Sequence, residues 1–295
     1  MTDQIFAIIA PVLICALIGF SWAKMRVPFD SEFVMRLVSN VGFPCLIFVS
    51  LATVDLDTAT LASMGAASVI TVAAFAGLGY LVLRLTGLSQ RAYLPSLMFA
   101  NTGNMGLPLC LLAFGERGLA LGVAYFSVNA IFVFSLGPAI ASGNARPIAV
   151  LKTPLIWSSI GGIAIKLGGI DLPVWSIKSL TLIGGFPIPL MLITLGVSLA
   201  QLKTTGLGRS LGISLLRLSL GFVVGWATGE VLGLDPVGRG VLIIECTMPV
   251  AVLNFLYAQM HNTNPREVAG AVLISTVLSF LTLPALLWFI LPASG

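Results

Sequence analysis

The chain has 295 residues, of which 58% are hydrophobic and 9% charged, with a mean hydropathy of +1.06 and a formal net charge of +4. A soluble domain of this size needs more polar surface, so the composition excludes a soluble enzyme or binding module and predicts a polytopic helical membrane protein. The apolar runs lack a two-residue alternation, which excludes an outer-membrane barrel. Basic residues scattered one or two per loop exclude a nucleic-acid partner.

Ten spans are predicted, at about 4–22, 31–51, 61–85, 92–114, 119–140, 153–168, 174–200, 208–232, 237–258 and 267–291. At roughly 20 residues each they leave only short loops. The first run follows Asp3 rather than a basic residue and lacks a small-residue cleavage site, so it reads as a retained span and not a signal peptide. Loops after odd-numbered spans carry Lys24, Arg26, Arg84, Arg91, Arg146, Lys152, Lys203, Arg209 and Arg266; those after even-numbered spans carry Arg117, Lys166, Lys178 and Arg239. Nine basic residues against four place the odd loops in the cytoplasm and both termini outside. Cys15, Cys45, Cys110 and Cys246 all fall in apolar runs, where cysteine is a small hydrophobe; neither a disulfide nor a metal cluster is expected.

The chain repeats itself. Pro11 and Gly19 match Pro154 and Gly162, and Gly42-Phe-Pro44 matches Gly185-Phe-Pro187, all at an offset of 143 residues. Two five-span halves, residues 1–145 and 146–295, must then cross the membrane in opposite senses as inverted repeats. The fourth span contains Asn101-Thr102-Gly103-Asn104-Met105-Gly106-Leu107-Pro108, and the ninth contains Glu245-Cys246-Thr247-Met248-Pro249-Val250. Glycine and proline are poor helix formers, and an unwound segment survives in lipid only when buried in protein or lining a wet cavity. Both spans are therefore expected to break, with Pro108 and Pro249 as the breaks, and to face one another.

Freed N–H groups at such breaks suit a carboxylate and freed carbonyls suit a cation. Asn101, Thr102, Gly103, Asn104, Met105, Gly106 and Pro108, with Met248, Pro249 and Asn254, are the candidate substrate-binding residues. Glu245 is the only acid deep in an apolar run; it coordinates Na⁺, carries a proton, or pairs with Arg217. Ser127, Asn129 and Thr247 join it as coupling-ion candidates, although Ser127 equally suits a bond to its own helix. Arg217 and Arg36 are expected to snorkel toward the interface, and His261 to be a solvated loop residue. No catalytic or metal-binding set and no phosphate loop is present, so transport runs on an ion gradient or on the substrate's own gradient.

At the Asn101–Pro108 stretch, which fits an N-x-G-x-x-G-x-P pattern, and at Met248-Pro-Val-Ala-Val-Leu-Asn254, the whole chain resembles the auxin efflux carrier family, which includes the plant PIN-FORMED transporters and bacterial carriers assigned to malonate and malate. The resemblance implies an all-α fold of ten helices with crossing helices 4 and 9. It also implies a scaffold of helices 1, 2, 6 and 7, a transport domain of helices 3–5 and 8–10, and elevator-type movement. A homodimer through the scaffold, a small organic anion as substrate, and the bacterial inner membrane follow from it too. More distantly the chain is similar to the bile acid:sodium symporter family, which would make Glu245 and the Met248 carbonyl Na⁺ ligands. Pro249 departs from that family's glutamine and puts its second sodium site in doubt. A sodium-coupled symporter of bile-acid-like or dicarboxylate substrates is the alternative; a sensor or channel on the same fold is the more remote one.

Overall fold

The computed structural model describes residues 2–143 and 153–291. The boundary between the halves, with Arg146 and Lys152 of the topology count, lies outside the described residues. Among those residues the structure is helical. Seven helical stretches are long and apolar enough to cross a membrane.

The first is α1 (Thr2–Lys24). A second runs through α2 (Ser31–Leu37), a π-helical turn at Val38–Gly42, and α3 (Phe43–Thr53). Asp30 and Asp57 cap the starts of α2 and α4 (Thr58–Leu85) by accepting the N–H groups of Phe33 and Thr60. α5 (Gln90–Met98) is short, and a π-helical turn at Thr102–Gly106 leads into α6 (Leu107–Ser142). α6 is interrupted at Gly115, whose φ of 64° favours glycine. There the helix doubles back: a Cβ at Gly118 would meet the Cys110 carbonyl, and one at Gly122 would lie 3.2 Å from Leu107. The fourth predicted span, 92–114, covers α5, the π-helical turn and the first arm of α6, and the fifth, 119–140, lies in the second arm. α7 (Pro154–Leu167), α8 (Val174–Gly185), α9 (Pro187–Gln201) and α10 (Leu207–Val231) follow, then α11 (Pro236–Thr247), α12 (Val252–Met260) and α13 (Pro265–Ile290).

Without a hydrophobic drive between helices in lipid, small residues decide where backbones approach. α1 lies along α9, with Gly19 against the Ile193 carbonyl and Gly196 against that of Ala16. α3 packs on α7 and α8, where Cβ atoms at Gly162 and Gly184 would stand 2.9 Å from the Phe48 carbonyl and the Leu46 Cα. The two Gly-Phe-Pro motifs meet: a Cβ at Gly42 would be 2.9 Å from the Phe186 ring. α10 packs on α11 and α13, and α4 on α5 and α6. Among these helices lie the least exposed stretches, including Leu97, Phe99, Met105 and Leu107 and the whole of Val241–Val250. Outward faces carry Leu17, Leu81, Trp157, Leu182 and Trp288, which explains why the composition is so apolar.

Candidate functional site

α5 ends at Met98 and α11 at Thr247, and in each the chain then becomes extended: Phe99 has φ −110° and ψ 104°, Met248 φ −60° and ψ 149°. Proline at 249 imposes that conformation on Met248. The two extended segments cross, and Ala100 and Val250 form an antiparallel bridge. Asn101 N–H donates to the Pro249 carbonyl at 2.8 Å, and Ala251 N–H to that of Phe99 at 3.2 Å. Each unpaired backbone group in hydrocarbon would cost several kcal/mol, so each break is satisfied by the other. Two side chains complete the joint. Asn254 Nδ2 donates to the Phe99 carbonyl at 2.8 Å, and Ser275 Oγ on α13 accepts from Val250 N–H at 3.0 Å.

Pro108 does not make the fourth-span break. The helix is interrupted at Phe99–Asn101, and Pro108 stands inside the re-entering helix, directly after the π-helical turn at Thr102–Gly106. Only Pro249 lies within unwound chain. Asn101 and Thr102 are buried, as are Met105, Gly106, Pro108, Met248 and Pro249. Gly103 and Asn104, at the start of one re-entering helix, are half-buried, and so are Val252 and Leu253 at the start of the other. The accessible part of the crossover thus consists of two helix N-termini, whose first N–H groups have no carbonyl within their own helix.

Arg217 does not snorkel. It is 0% exposed, with Nη1 donating to the Leu97 carbonyl at 3.1 Å and Nη2 to the Cys246 carbonyl at 2.7 Å. Its guanidinium carbon lies 4.5 Å from the centroid of the Phe75 ring. It does not pair with Glu245: among the described residues no carboxylate is within 4.0 Å of it. An arginine at bilayer depth costs about 2.5–3.5 kcal/mol on insertion scales, so this one must be compensated otherwise. Arg36, by contrast, is exposed and paired with Glu32.

Glu245 is also fully buried. Its Oε1 accepts from the Cys110 thiol at 3.6 Å, and its Oε2 makes no protein hydrogen bond. Gly106 and Gly122 face it; a Cβ at Gly122 would lie 3.2 Å from Oε1, and one at Gly106 would overlap the carboxyl. The carboxyl thus rests on the first turn of the helix that re-enters at Thr102. Nearby, Tyr125 Oη lies 3.0 Å from Thr71 Oγ1 and 3.5 Å from Cys246 Sγ. Ser127 bonds to its own helix at the Val123 carbonyl, 2.7 Å away, and no bond joins it to Glu245. Asn129 Oδ1 and Thr247 Oγ1 are buried without a protein partner. His261 lies in the turn after α12.

A cavity of about 760 Å³ opens between α3 (Leu46, Ser50, Thr53), α6 (Leu119) and α9 (Ile188), and Glu116 and Arg117 also line it. One turn before Leu46, Phe43 packs against Phe126 of α6 with the rings tilted at 44° and their centroids 5.5 Å apart. Gly103 sits against that pair, since its Cβ would be 2.9 Å from Phe126 and 3.5 Å from Phe43. Sequence reasoning missed Cys110, Phe43, Phe126, Tyr125 and Ser275. A hydroxyl pair such as Ser275-Thr276 inside an apolar run was the one available signal among them.

A polytopic bundle whose two interrupted helices cross and bond to each other, with bare helix starts at the crossing, defines a membrane transport architecture. The sequence comparisons agree: residues 4–150 and 141–287 match the membrane transport protein family, and the chain belongs to it. It is 27% identical over 290 residues to an uncharacterized transporter of Methanothermobacter thermautotrophicus, covering 94% of this chain and 95% of that protein. A second uncharacterized transporter, of Methanocaldococcus jannaschii, is 27% identical over 206 residues, or 66% of each chain. A Rhizobium meliloti protein provisionally named as a malonate transporter is 25% identical over 206 residues, 65% of this chain and 64% of that one.

Proposed function

We propose that this protein is a secondary carrier of a small organic anion that binds a carboxylate at the crossover. The observation that carries the reading is the exposure pattern: an otherwise buried crossing leaves Gly103–Asn104 and Val252–Leu253 accessible. Both are helix N-termini, each equivalent to about half a positive charge and each offering free N–H groups. The Asn104 amide adds a neutral donor beside them.

Ten passes in two inverted halves, both termini outside, account best for the helices described. The packing supports a fixed body of α1–α3 and α7–α9 and a moving body of α4–α6 and α10–α13. The cavity between α3, α6 and α9 is then the vestibule, and the crossover travels with the moving body as a unit because its bonds all lie within it. Glu245 carries the coupling proton. Hard metal cations seek several oxygen donors, whereas this carboxyl faces two glycines and a thiol. The name of the Rhizobium relative makes a short dicarboxylate the first substrate to try.

The test is uptake of labelled malonate and a panel of carboxylates into proteoliposomes holding the wild type, Asn104→Ala and Glu245→Gln. Saturable uptake of a carboxylate is expected, abolished by Asn104→Ala. Glu245→Gln is expected to remove the response to an imposed pH gradient. Uptake that Asn104→Ala leaves unchanged removes the crossover from the site.

A further inference from the structure

Away from the crossover, the last turns of α10 and α13 meet the first turns of α11, and a cavity of about 270 Å³ opens between them. Trp226 and Glu230 of α10, Arg239 and Ile243 of α11, and Phe289 and Ile290 of α13 line it. Phe222, Trp226 and Glu230 recur every four residues along α10, so they form one stripe that runs from apolar to charged. Phe222 meets Phe289 edge to face, with ring centroids 5.4 Å apart. Trp226 is 44% exposed and Phe289 54%, so this aromatic wall looks outward. Exposed aromatic residues beside helix ends mark the level at which hydrocarbon gives way to lipid headgroups.

The charged end of the stripe is a pair. Arg239 Nη1 donates to Glu230 Oε1, and both side chains stay partly exposed, at 36% and 46%. A Cβ at Gly229 would be 3.0 Å from Arg239 Cγ, so the missing side chain gives the arginine stem a bed across α10. That stem holds the guanidinium beside the carboxylate instead of letting it reach away into water. A guanidinium has five N–H groups and a carboxylate two oxygens, and their mutual bond uses one of each. Donors on one member and an oxygen on the other are thus left over at a cavity whose remaining walls are apolar.

We propose that this pocket binds the headgroup of phosphatidylethanolamine, with the phosphate on Arg239 and the ammonium on Glu230. The argument is charge complementarity. A zwitterionic headgroup brings a phosphate to the spare guanidinium N–H groups and an ammonium donor to Glu230 Oε2, and bonds between charged partners are the strong ones. An anionic headgroup such as phosphatidylglycerol would set its phosphate beside a carboxylate and answer only half of the pair. Phosphatidylcholine carries both charges, but its quaternary nitrogen has no N–H to donate. A cavity this small suits a headgroup whose acyl chains stay in the bilayer, along the Phe222–Phe289 contact. The inference requires only that the chain is inserted in a membrane, so it stands or falls apart from the carrier reading.

The experiment is thermal unfolding of the purified, delipidated full chain titrated with mixed micelles of phosphatidylethanolamine, phosphatidylcholine or phosphatidylglycerol with identical acyl chains. A saturable rise in midpoint is expected. Half-saturation should come at about tenfold less phosphatidylethanolamine than phosphatidylcholine, the worth of one hydrogen bond between charged groups. Glu230→Ala should bind these two lipids alike. Arg239→Gln should weaken both by removing the phosphate contact, and Trp226→Ala should weaken both by removing the wall. Phosphatidylethanolamine bound no better than phosphatidylcholine overturns the proposal, and so does a preference that survives Glu230→Ala. Phosphatidylglycerol bound most tightly makes this an anion site at Arg239 alone and overturns it too. Should a variant fail to fold, the order of the three lipids on the wild type decides.

Discussion

Asn254→Ala separates the stability of the crossover from its use. Asn254 is 1% exposed, and its Nδ2 donates to the Phe99 carbonyl at 2.8 Å. That carbonyl also accepts from Ala251 N–H at 3.2 Å, so the substitution leaves no orphaned acceptor. The loss is then one hydrogen bond, about 1 kcal/mol in general and about 0.6 on average between membrane helices, plus a small cavity. A total of roughly 1–2 kcal/mol would lower the unfolding midpoint by about 2–8 °C in a chain of this size. Transport should fall much further, because the same bond fixes the start of α12 relative to the end of α5. Unfolding can be followed by size-exclusion chromatography after heating, and uptake in proteoliposomes corrected for folded protein. Uptake that drops only in proportion to the folded fraction would refute the argument, and so would an unchanged midpoint.

Gly106→Ala should destabilise more than Gly122→Ala, because its Cβ would overlap the Glu245 carboxyl whereas that at Gly122 stands 3.2 Å from Oε1. Overpacking of the first kind costs about 1–3 kcal/mol, and the order of the two unfolding midpoints checks it. At Asp57 the Thr60 hydroxyl and N–H hold the carboxyl below the ordinary carboxylate range. A depressed pKa contributes stability above the unfolded value, near pH 4, and loses it as pH falls through the folded one. The midpoint gap between wild type and Asp57→Ala should therefore narrow below about pH 4; a constant gap from neutral to acid pH contradicts it.

Both interruptions were legible in the sequence, because glycine, asparagine and proline crowd into apolar runs where nothing else explains them. Their partners were not. A helix can carry a proline past a π-helical turn without ending, so Pro108 marked the neighbourhood of the break and not its place at Phe99–Asn101. Arg217 looked like a residue reaching for the interface because composition and spacing show charge and depth but not contacts. Its acceptors lie 120 and 29 residues away in the chain. Helix bounds fared better: the ninth run was expected at 237–258, and α11 and α12 span Pro236–Met260. Gly-Phe-Pro could be matched to Gly-Phe-Pro by eye, yet only the packed chain shows Gly42 lying against Phe186 and Pro187.

Arg217 and Glu245 are both fully buried in this molecule, and the obvious economy would be to pair them. They do not pair. Arg217 lies against the carboxyl ends of α5 and α11, and Glu245 lies against the first turn of the helix that re-enters at Thr102. Each group thus meets the helix end of opposite sign. An ion pair would have locked both side chains and left the helix ends to find other partners. Keeping them apart leaves each charge to a helix end instead. That division of labour requires both helices to be broken: in two continuous rods there would be no ends at mid-membrane to answer either charge.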